Sequence, residues 1–171
     1  MKGFSANWIS ANWISANWIS LVCWLLLCFA VAGVSGSWTA SEVTGWYRTL
    51  QRPSFAPPNW IFGPVWTLLY AMMAVAAWRV WITPPSGART AGIALFLVQL
   101  ALNFCWTLIF FRWHMIGAAL AEIAALWVAI AATALVFSRV SPLAAWLLVP
   151  YLAWVSFATA LNAGFWRGNP G

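Results

Sequence analysis

Residues 60–82 read WIFGPVWTLLYAMMAVAAWRVWI, an apolar run in which Arg79 is the one charged side chain. A helix needs about 20 such residues to cross the hydrocarbon core of a bilayer. Residues 83–87, with the sequence TPPSG, follow the run, and prolines with glycine are typical of a turn between helices. The stretch therefore predicts a membrane-spanning helix that is followed by a short loop.

Four other parts of the chain repeat this pattern. The chain has 171 residues, of which 64% are hydrophobic and 6% charged, and a water-soluble protein of this size has no means of burying so much apolar surface. We therefore predict an all-α, multi-pass integral membrane protein, built as a bundle of five transmembrane helices. The basic residues divide evenly between the two ends of the bundle, so they do not indicate its orientation. The other predicted helices cover residues 18–34, 90–111, 115–137 and 142–166.

The N-terminus contains the sequence SANWI in three consecutive copies, over residues 5–19. A five-residue period turns a helix by about 500° per copy, so the tryptophans do not share one face. We interpret the repeat as a recent tandem duplication or as the result of a start codon placed too early; a functional tryptophan arm is the alternative. We expect an N-terminal repeat extension, residues 1–17, and a five-helix membrane domain, residues 18–171, with the last copy extending the first helix.

The first connection, residues 35–59, is the one long loop that the pattern predicts. It alternates aromatic residues with prolines and two arginines, which is typical of a segment that holds a shape. Thr39 and Glu42 have the spacing of a capping box and predict a short helix before Trp46. We interpret the loop as a lid over one mouth of the bundle; the alternative is an interfacial loop whose aromatic rings rest on lipid headgroups. The candidate lid residues are Trp46, Arg48, Arg52, Pro53, Pro57 and Pro58.

Several classes of function are not supported by the residues. Lysine and arginine are scattered singly, whereas nucleic-acid binding needs them clustered, so we expect no nucleic-acid partner. Cys23, Cys28 and Cys105 have no metal-site spacing, and we expect inert, buried thiols and no metal. We find no nucleophile or acid–base pair that would support conventional catalysis, and we assign no catalytic residue.

A few polar residues lie within or beside the predicted helices. Asn103 makes either an interhelical hydrogen bond or a ligand contact, and we expect Asn162 to be structural. Glu122 is either a neutral carboxyl bonded to a neighbouring helix, which we favour, or a proton-relay or ligand group. We expect His114, in a short loop, to be solvated at the interface and not to ligate haem.

Small residues recur every four positions in the last two predicted helices. Such residues let helix backbones approach closely in lipid, either within one chain or between the two chains of a homodimer. They are Gly117, Ala121, Ala125 and Ala129 in the fourth helix, and Ser156, Ala160 and Gly164 in the fifth.

Several sequence blocks, in this order and spacing, resemble the TspO/MBR family of tryptophan-rich sensory proteins. The resemblance covers residues 46–169, and no block is specific without the others. The blocks are Trp46-Tyr47 with Pro53 and Pro57-Pro58; residues 60–66 with Leu69-Tyr70; Gln99, Asn103 and Trp106; Phe110-Phe111; residues 150–154; and Phe157-Ala158-Thr159 with Leu161-Asn162.

The resemblance implies a five-helix membrane bundle, often a homodimer, with a pocket closed by the first loop. Ligands of the family include porphyrins such as protoporphyrin IX and haem, synthetic drugs, and cholesterol in animal members. It implies no intrinsic cofactor; a porphyrin or haem would be a ligand, and membrane lipid a partner. Carried over by motif, the ligand-binding residues are Tyr47, Phe62, Trp66, Asn103, Trp106, Trp154, Ala158 and Leu161.

Together these features predict a membrane receptor or sensor that binds porphyrins and related hydrophobic ligands, with a role in tetrapyrrole metabolism or transport. The alternatives are a light-dependent porphyrin-degrading enzyme and a small hydrophobic-ligand or sterol transporter. Two departures from the family pattern bear on the alternatives. Ala163 replaces the tyrosine of a proposed cholesterol motif, and Phe55 replaces a tryptophan common in bacterial members, a change that would weaken porphyrin photochemistry.

Overall fold

Five long α-helices form the bundle in the part of the chain that the structure describes. This computed structural model describes residues 4–169, with side chains from residue 17 onward. Each helix contains a segment long and apolar enough to cross a membrane, so the predicted five-helix architecture is confirmed. The helices are α1 (Phe4–Thr44), α2 (Phe62–Trp81), α3 (Gly87–Thr107), α4 (Ile116–Ser138) and α5 (Pro142–Gly168).

The turn between α2 and α3 lies where the proline-rich break predicts it. Helix α2 ends at Trp81, and α3 begins at Gly87. The Ser86 hydroxyl caps α3 by accepting a hydrogen bond from the backbone N–H of Arg89, at 3.1 Å. At its other end α3 continues as a π-helical turn, Leu108–Arg112, before the short loop to α4.

Helix α1 is longer than predicted. It includes the three SANWI copies, beginning at Phe4, and it runs without interruption to Thr44. The predicted end near residue 34 is therefore wrong, and so is the separate short helix after Thr39. The hydroxyl of Thr39 instead donates to the carbonyl of Ser35, one turn earlier in the same helix. A backbone within a bilayer must satisfy its own polar groups, which favours continuing the helix over ending it.

The first loop is consequently shorter, and we use the term lid for residues 45–58. A 3-10 helix, Trp46–Thr49, opens the lid, and a second, Asn59–Ile61, joins it to α2. The prolines keep the intervening segment extended, because each fixes its own φ and disfavours helix in the residue before it. The lid crosses the end of the bundle at which α1, α3 and α5 end.

The helices pack in neighbouring pairs, α1 with α2, α2 with α5, α3 with α4 and α4 with α5. Their shared core includes Met73, Ala77 and Tyr151, each fully buried. Glycines permit some of the close contacts. A Cβ at Gly92 would lie 3.0 Å from the Phe137 ring, and one at Gly117 would lie 3.0 Å from Trp166 Nε1.

The small residues of α4 and α5 therefore serve, in part, contacts within the chain. Gly117 faces Trp166, and Gly164 faces Pro53 of the lid. Ala121, Ala125 and Ala160 are exposed on the outer surface of the bundle. A homodimer contact through these exposed alanines stays a prediction.

The cysteines differ from expectation. Cys28 is fully buried as expected, but Cys23 is exposed and Cys105 is half-buried. Cys23 lies on the outer face of α1, where an apolar side chain needs no protein cover because the surrounding lipid is itself apolar.

Candidate functional site

A cavity of about 380 Å³ lies beneath the lid, inside the end of the bundle. Its walls come from the lid and from α1, α2, α3 and α5. All eight residues that the motifs nominated contribute to these walls; that they bind a ligand stays a prediction. They are Tyr47, Phe62, Trp66, Asn103, Trp106, Trp154, Ala158 and Leu161.

Aromatic rings make up much of the cavity wall and support one another. Trp66 contacts the ring of Tyr151 edge to face, with centroids 6.2 Å apart. Trp154 meets Phe62 in the same way at 5.8 Å. Trp106 stacks on Phe110 at 5.3 Å. Each tryptophan ring is supported by an aromatic ring from another helix or from an adjacent turn, so the aromatic wall is held in place without a ligand.

Asn103 links three helices through its side-chain amide. The Tyr70 hydroxyl of α2 donates to Asn103 Oδ1. Asn103 Nδ2 donates to the Tyr151 hydroxyl of α5 at 3.0 Å. Of the two alternatives, the interhelical hydrogen bond is therefore present, although the residue also lies in the cavity wall. Both polar atoms of a buried amide are satisfied, which is the condition for stable burial in an apolar helix.

Asn162 fixes the orientation of Trp106. Trp106 Nε1 donates to Asn162 Oδ1 at 3.2 Å. Asn162 Nδ2 donates to the carbonyl oxygen of Ile116, at the start of α4, at 2.9 Å. The structural role expected for Asn162 fits this geometry, since its amide joins α3, α4 and α5 beside the cavity.

Three buried polar atoms in the cavity wall have no hydrogen-bond partner among the described residues. They are Trp154 Nε1, which is a donor, Asn59 Oδ1, which is an acceptor, and the Ser35 hydroxyl, which can be either. An unsatisfied buried polar atom is energetically costly, and a ligand that brings the complementary group removes that cost. The cavity thus offers one donor, one acceptor and one hydroxyl group within a largely apolar lining.

Sequence reasoning missed Asn59 and the whole α1 wall of the cavity. Asn59 immediately precedes the apolar run of α2, and a polar residue at that position is a signal that could have indicated it as part of the cavity wall. The pattern predicts loop for the end of α1, so helical periodicity does not point to its cavity face. The α1 contribution is Ala32, Ser35, Gly36, Thr39, Ala40 and Val43.

The cavity wall is electrically neutral. None of the described residues that line it is charged. Burial raises the pKa of the Tyr47 hydroxyl above its ordinary value, and the nearby Arg52 guanidinium partly opposes this shift. Tyr47 is therefore an uncharged phenol at neutral pH, and the cavity interior favours uncharged ligand surface.

The two lid arginines have different surroundings. Arg52 donates from Nη2 to the carbonyl oxygen of Pro57 at 2.9 Å, and its guanidinium lies 5.7 Å from the centre of the Tyr47 ring. Arg52 therefore holds the shape of the lid. Arg48 is exposed, and no hydrogen bond of its side chain appears within the described part of the chain.

Three sets of contacts attach the lid to the bundle. Pro53 packs directly on Gly164 of α5. The Asn169 side chain pairs with the backbone of Gln51 through two hydrogen bonds. Tyr47 is buried against Phe165, with ring centroids 5.0 Å apart.

His114 belongs to a fourth attachment, and its side chain is exposed as expected. Its ring stacks on Trp46 with centroids 4.0 Å apart and planes at 16°. Its Nε2 lies 3.0 Å from Glu42 Oε2. The residue is still partly exposed, but it connects the α3–α4 loop to the end of α1 and to the lid. His114 has a positive φ of 57°, so the backbone adopts an uncommon conformation to present this ring.

Glu122 lies outside the cavity. Both of its carboxylate oxygens are buried and have no partner among the described residues. The favoured interpretation, a carboxyl bonded to a neighbouring helix, is therefore wrong. A direct contact with a ligand in the cavity is not supported either, since Glu122 does not belong to the lining.

Comparison with known proteins agrees with this architecture. A model of the TspO/MBR family matches residues 7–167, nearly the whole chain. The chain belongs to the TspO/MBR family. Family membership and the five spanning helices make it an integral, multi-pass membrane protein.

Relatives within the TspO/MBR family come from distant organisms. The chain is 43% identical over 145 residues to the tryptophan-rich protein TspO of Chlorobaculum tepidum, covering 84% of this chain and 92% of that protein. It is 43% identical over 140 residues to the Homo sapiens translocator protein, covering 81% and 83% of the two chains. It is 38% identical over 143 residues to protein CrtK of Rhodobacter capsulatus, covering 83% and 88%. The family is thus consistent with a membrane receptor, sensor or transporter.

Proposed function

We propose that the protein is a membrane receptor or sensor that binds porphyrins, such as protoporphyrin IX or haem, and related hydrophobic ligands in the cavity beneath the lid. One observation carries the proposal: Trp66, Trp106 and Trp154, on three different helices, line a single uncharged cavity. Large rigid rings present extensive apolar area to a flat ligand at little cost in conformational entropy.

The polar atoms of the site suit the edges of such a ligand. Trp154 Nε1 is free to donate to a carbonyl or carboxylate oxygen, and Asn59 Oδ1 is free to accept from an N–H group. Porphyrin carboxylates would not be stable deep within the neutral wall, because burying an unpaired charge is costly. They would extend toward the lid, where the exposed Arg48 is available for a charge-assisted hydrogen bond.

We further propose a homodimer, in contact with membrane lipid, through the outer surface that carries Ala121, Ala125 and Ala160. Small exposed residues at helical spacing permit close approach of two helices in a bilayer. Replacing Ala125 with Trp should shift the protein from dimer to monomer in a cross-linking assay in liposomes. A wild-type protein that remains monomeric across a range of lipid dilutions would refute the homodimer.

The porphyrin proposal is tested by titrating protoporphyrin IX in the dark while tryptophan fluorescence and the Soret band are followed. Trp66→Ala and Trp154→Ala should each weaken binding by about 1–3 kcal/mol, the scale of one buried aromatic side chain. Trp146→Ala is the matched control, because Trp146 is on the same helix as Trp154 but lies on the outer surface, 68% exposed. Equal affinity in all four proteins would refute binding in this cavity.

Illumination of the same samples separates a receptor from a light-dependent enzyme. A receptor leaves the Soret band intact over the time in which free porphyrin is stable. Bleaching that requires the protein and yields a new product would support the enzyme instead.

A further inference from the structure

The exposed part of the cavity wall is confined to α1 and α2. The lining residues of α3 and α5 are all buried or half-buried, and so are those of the lid. Four lining residues are exposed: Gly36 and Ala40 on α1, and Gly63 and Thr67 on α2. An exposed residue that also lines a cavity marks the place where the cavity reaches the surface, so the cavity opens between these two helices.

Small side chains keep this opening wide. A Cβ added at Gly36 or at Gly63 would meet no atom within 4 Å. Further along the bundle the same two helices close against each other, where Cys28 of α1 and Ala74 and Ala77 of α2 are fully buried. The gap is therefore a local feature of the lid end and not a general separation of α1 from α2.

The rim of the opening is suited to apolar molecules. The hydroxyl of Thr67 donates to the backbone carbonyl of Gly63 at 2.9 Å. The hydroxyl of Thr39, a lining residue of α1, donates to the backbone carbonyl of Ser35 at 2.9 Å. Both threonines thus satisfy their polar groups within their own helices.

The opening lies between two helices that are long and apolar enough to span a membrane. Gly36 lies about 12 Å before the end of α1, at ~1.5 Å of rise per residue. It is inside the segment Asn17–Thr44, which meets this criterion, as does the segment Asn59–Trp81 that contains α2. With both helices in a bilayer, a molecule that leaves the cavity here would enter lipid.

The path through the lid is obstructed by comparison. A ligand that entered there would have to separate Pro53 from Gly164, break the pairing of Gln51 with Asn169, and lift Tyr47 from its buried position. The lateral route needs none of these changes, because its rim contains glycine, alanine and threonine only.

We infer that hydrophobic ligands dissolved in the bilayer enter and leave the cavity sideways, through the opening between α1 and α2, while the lid stays closed. This inference rests on the proposed function, since it concerns access to the same cavity. It assigns to Gly36 and Gly63 a role in ligand exchange that is distinct from ligand affinity.

The test measures association and dissociation rates of protoporphyrin IX in liposomes by stopped-flow tryptophan quenching. Gly36→Leu and Gly63→Leu, alone and combined, fill the opening. A higher barrier slows both entry and exit, so both rate constants should fall by about tenfold in the double variant. Gly33→Leu is the control, because Gly33 is an exposed glycine of α1 with open space around it that does not line the cavity.

Asn169→Ala supplies the opposite comparison, since it loosens the lid without touching the opening. Unchanged rates in Asn169→Ala, with slowed rates in the double leucine variant, support the lateral route. Wild-type rates in the double leucine variant, or faster rates in Asn169→Ala, overturn it. If wild-type protein does not quench with protoporphyrin IX at all, the proposed function fails, which is a different result.

A second measurement tests the opening without porphyrin. Cys23, Cys28 and Cys105 are replaced by Ala, and Ala158→Cys places one thiol in the cavity wall. N-phenylmaleimide, which partitions into the bilayer, should label this thiol about tenfold more slowly when both glycines are leucine, for the same reason of a raised entry barrier. Equal labelling rates with and without the leucines would overturn the lateral route, whatever ligand the cavity binds.

Discussion

Asn169, just after the end of α5, pairs with the backbone of Gln51 in the lid. Asn169 Oδ1 accepts from the Gln51 N–H at 2.9 Å, and Asn169 Nδ2 donates to the Gln51 carbonyl at 3.1 Å. The same Nδ2 also donates to the carbonyl of Phe165 at 2.9 Å, which ties the amide to its own helix. One side chain thus completes the hydrogen bonding of an extended lid residue and fixes the lid to α5.

Asn169→Ala should loosen the lid without unfolding the bundle. It removes two hydrogen bonds that together stabilise lid attachment by about 1–2 kcal/mol, so the Gln51 amide should exchange its hydrogen about tenfold faster. Asn169→Asp keeps the acceptor for the Gln51 N–H but loses the donor. Its Gln51 exchange rate should therefore lie between those of the wild type and Asn169→Ala. Hydrogen-exchange mass spectrometry of the lid peptide measures this. Wild-type exchange in Asn169→Ala would show that Pro53 and Tyr47 suffice to hold the lid.

Gly164→Ala should displace the lid from α5. The added Cβ would lie 2.6 Å from Pro53 Cγ, which is closer than real contacts, and 3.1 Å from Pro53 Cβ, which is a tight contact. Helix propensity alone favours alanine by about 1 kcal/mol, so a destabilised or displaced lid means that the steric effect dominates. Gly63→Ala is the matched control, because its Cβ meets nothing within 4 Å. Faster proteolysis of the lid in Gly164→Ala only is the expected result; equal rates would contradict the close packing of Pro53 on Gly164.

Trp106→Phe and Trp154→Phe should affect different properties, protein stability in the first case and ligand affinity in the second. Trp106 Nε1 donates to Asn162, so its loss leaves a buried acceptor unpaired and should lower stability by about 1–3 kcal/mol. Trp154 Nε1 has no partner among the described residues, so Trp154→Phe breaks no hydrogen bond there. It should instead weaken the binding of ligands that carry a hydrogen-bond acceptor, by about 0.5–1.5 kcal/mol. Thermal melts without ligand and titrations with protoporphyrin IX separate the two effects; the same loss of stability in both variants would contradict these assignments.

Arg48→Gln and Arg52→Gln should separate ligand charge from lid shape. Arg52 donates to Pro57 and holds the shape of the lid, so its loss should weaken the binding of protoporphyrin IX and of an uncharged ligand alike. Arg48 is exposed, so its loss should weaken the binding of the carboxylate-bearing porphyrin only. The loss should be less than about 1 kcal/mol, and smaller still at high salt. Titrations of both ligands at two salt concentrations decide this. Equal losses for the two ligands in Arg48→Gln would mean that Arg48 also acts through the lid.

The membrane class, the five helices and eight residues of the cavity wall follow from the sequence alone. Long apolar runs determine spanning helices because a backbone in lipid must satisfy its hydrogen bonds within its own segment. The break at residues 83–87 places the α2–α3 turn because proline and glycine act locally. The eight nominated wall residues came from motif resemblance, and all of them line one cavity.

Tertiary structure alone decided which polar groups are satisfied and where the cavity opens. The pairing of Gln51 with Asn169 joins residues 118 positions apart, and the contact of Glu42 with His114 joins residues 72 apart. Trp106 and Trp154 look equivalent in the sequence, yet only Trp106 finds an acceptor among the described residues. The end of α1 resembles a loop in the sequence because its glycines and serines disfavour helix in water, whereas a bilayer favours completing it. Such outcomes depend on how each helix is rotated against its neighbours, and no local pattern of residues contains that information.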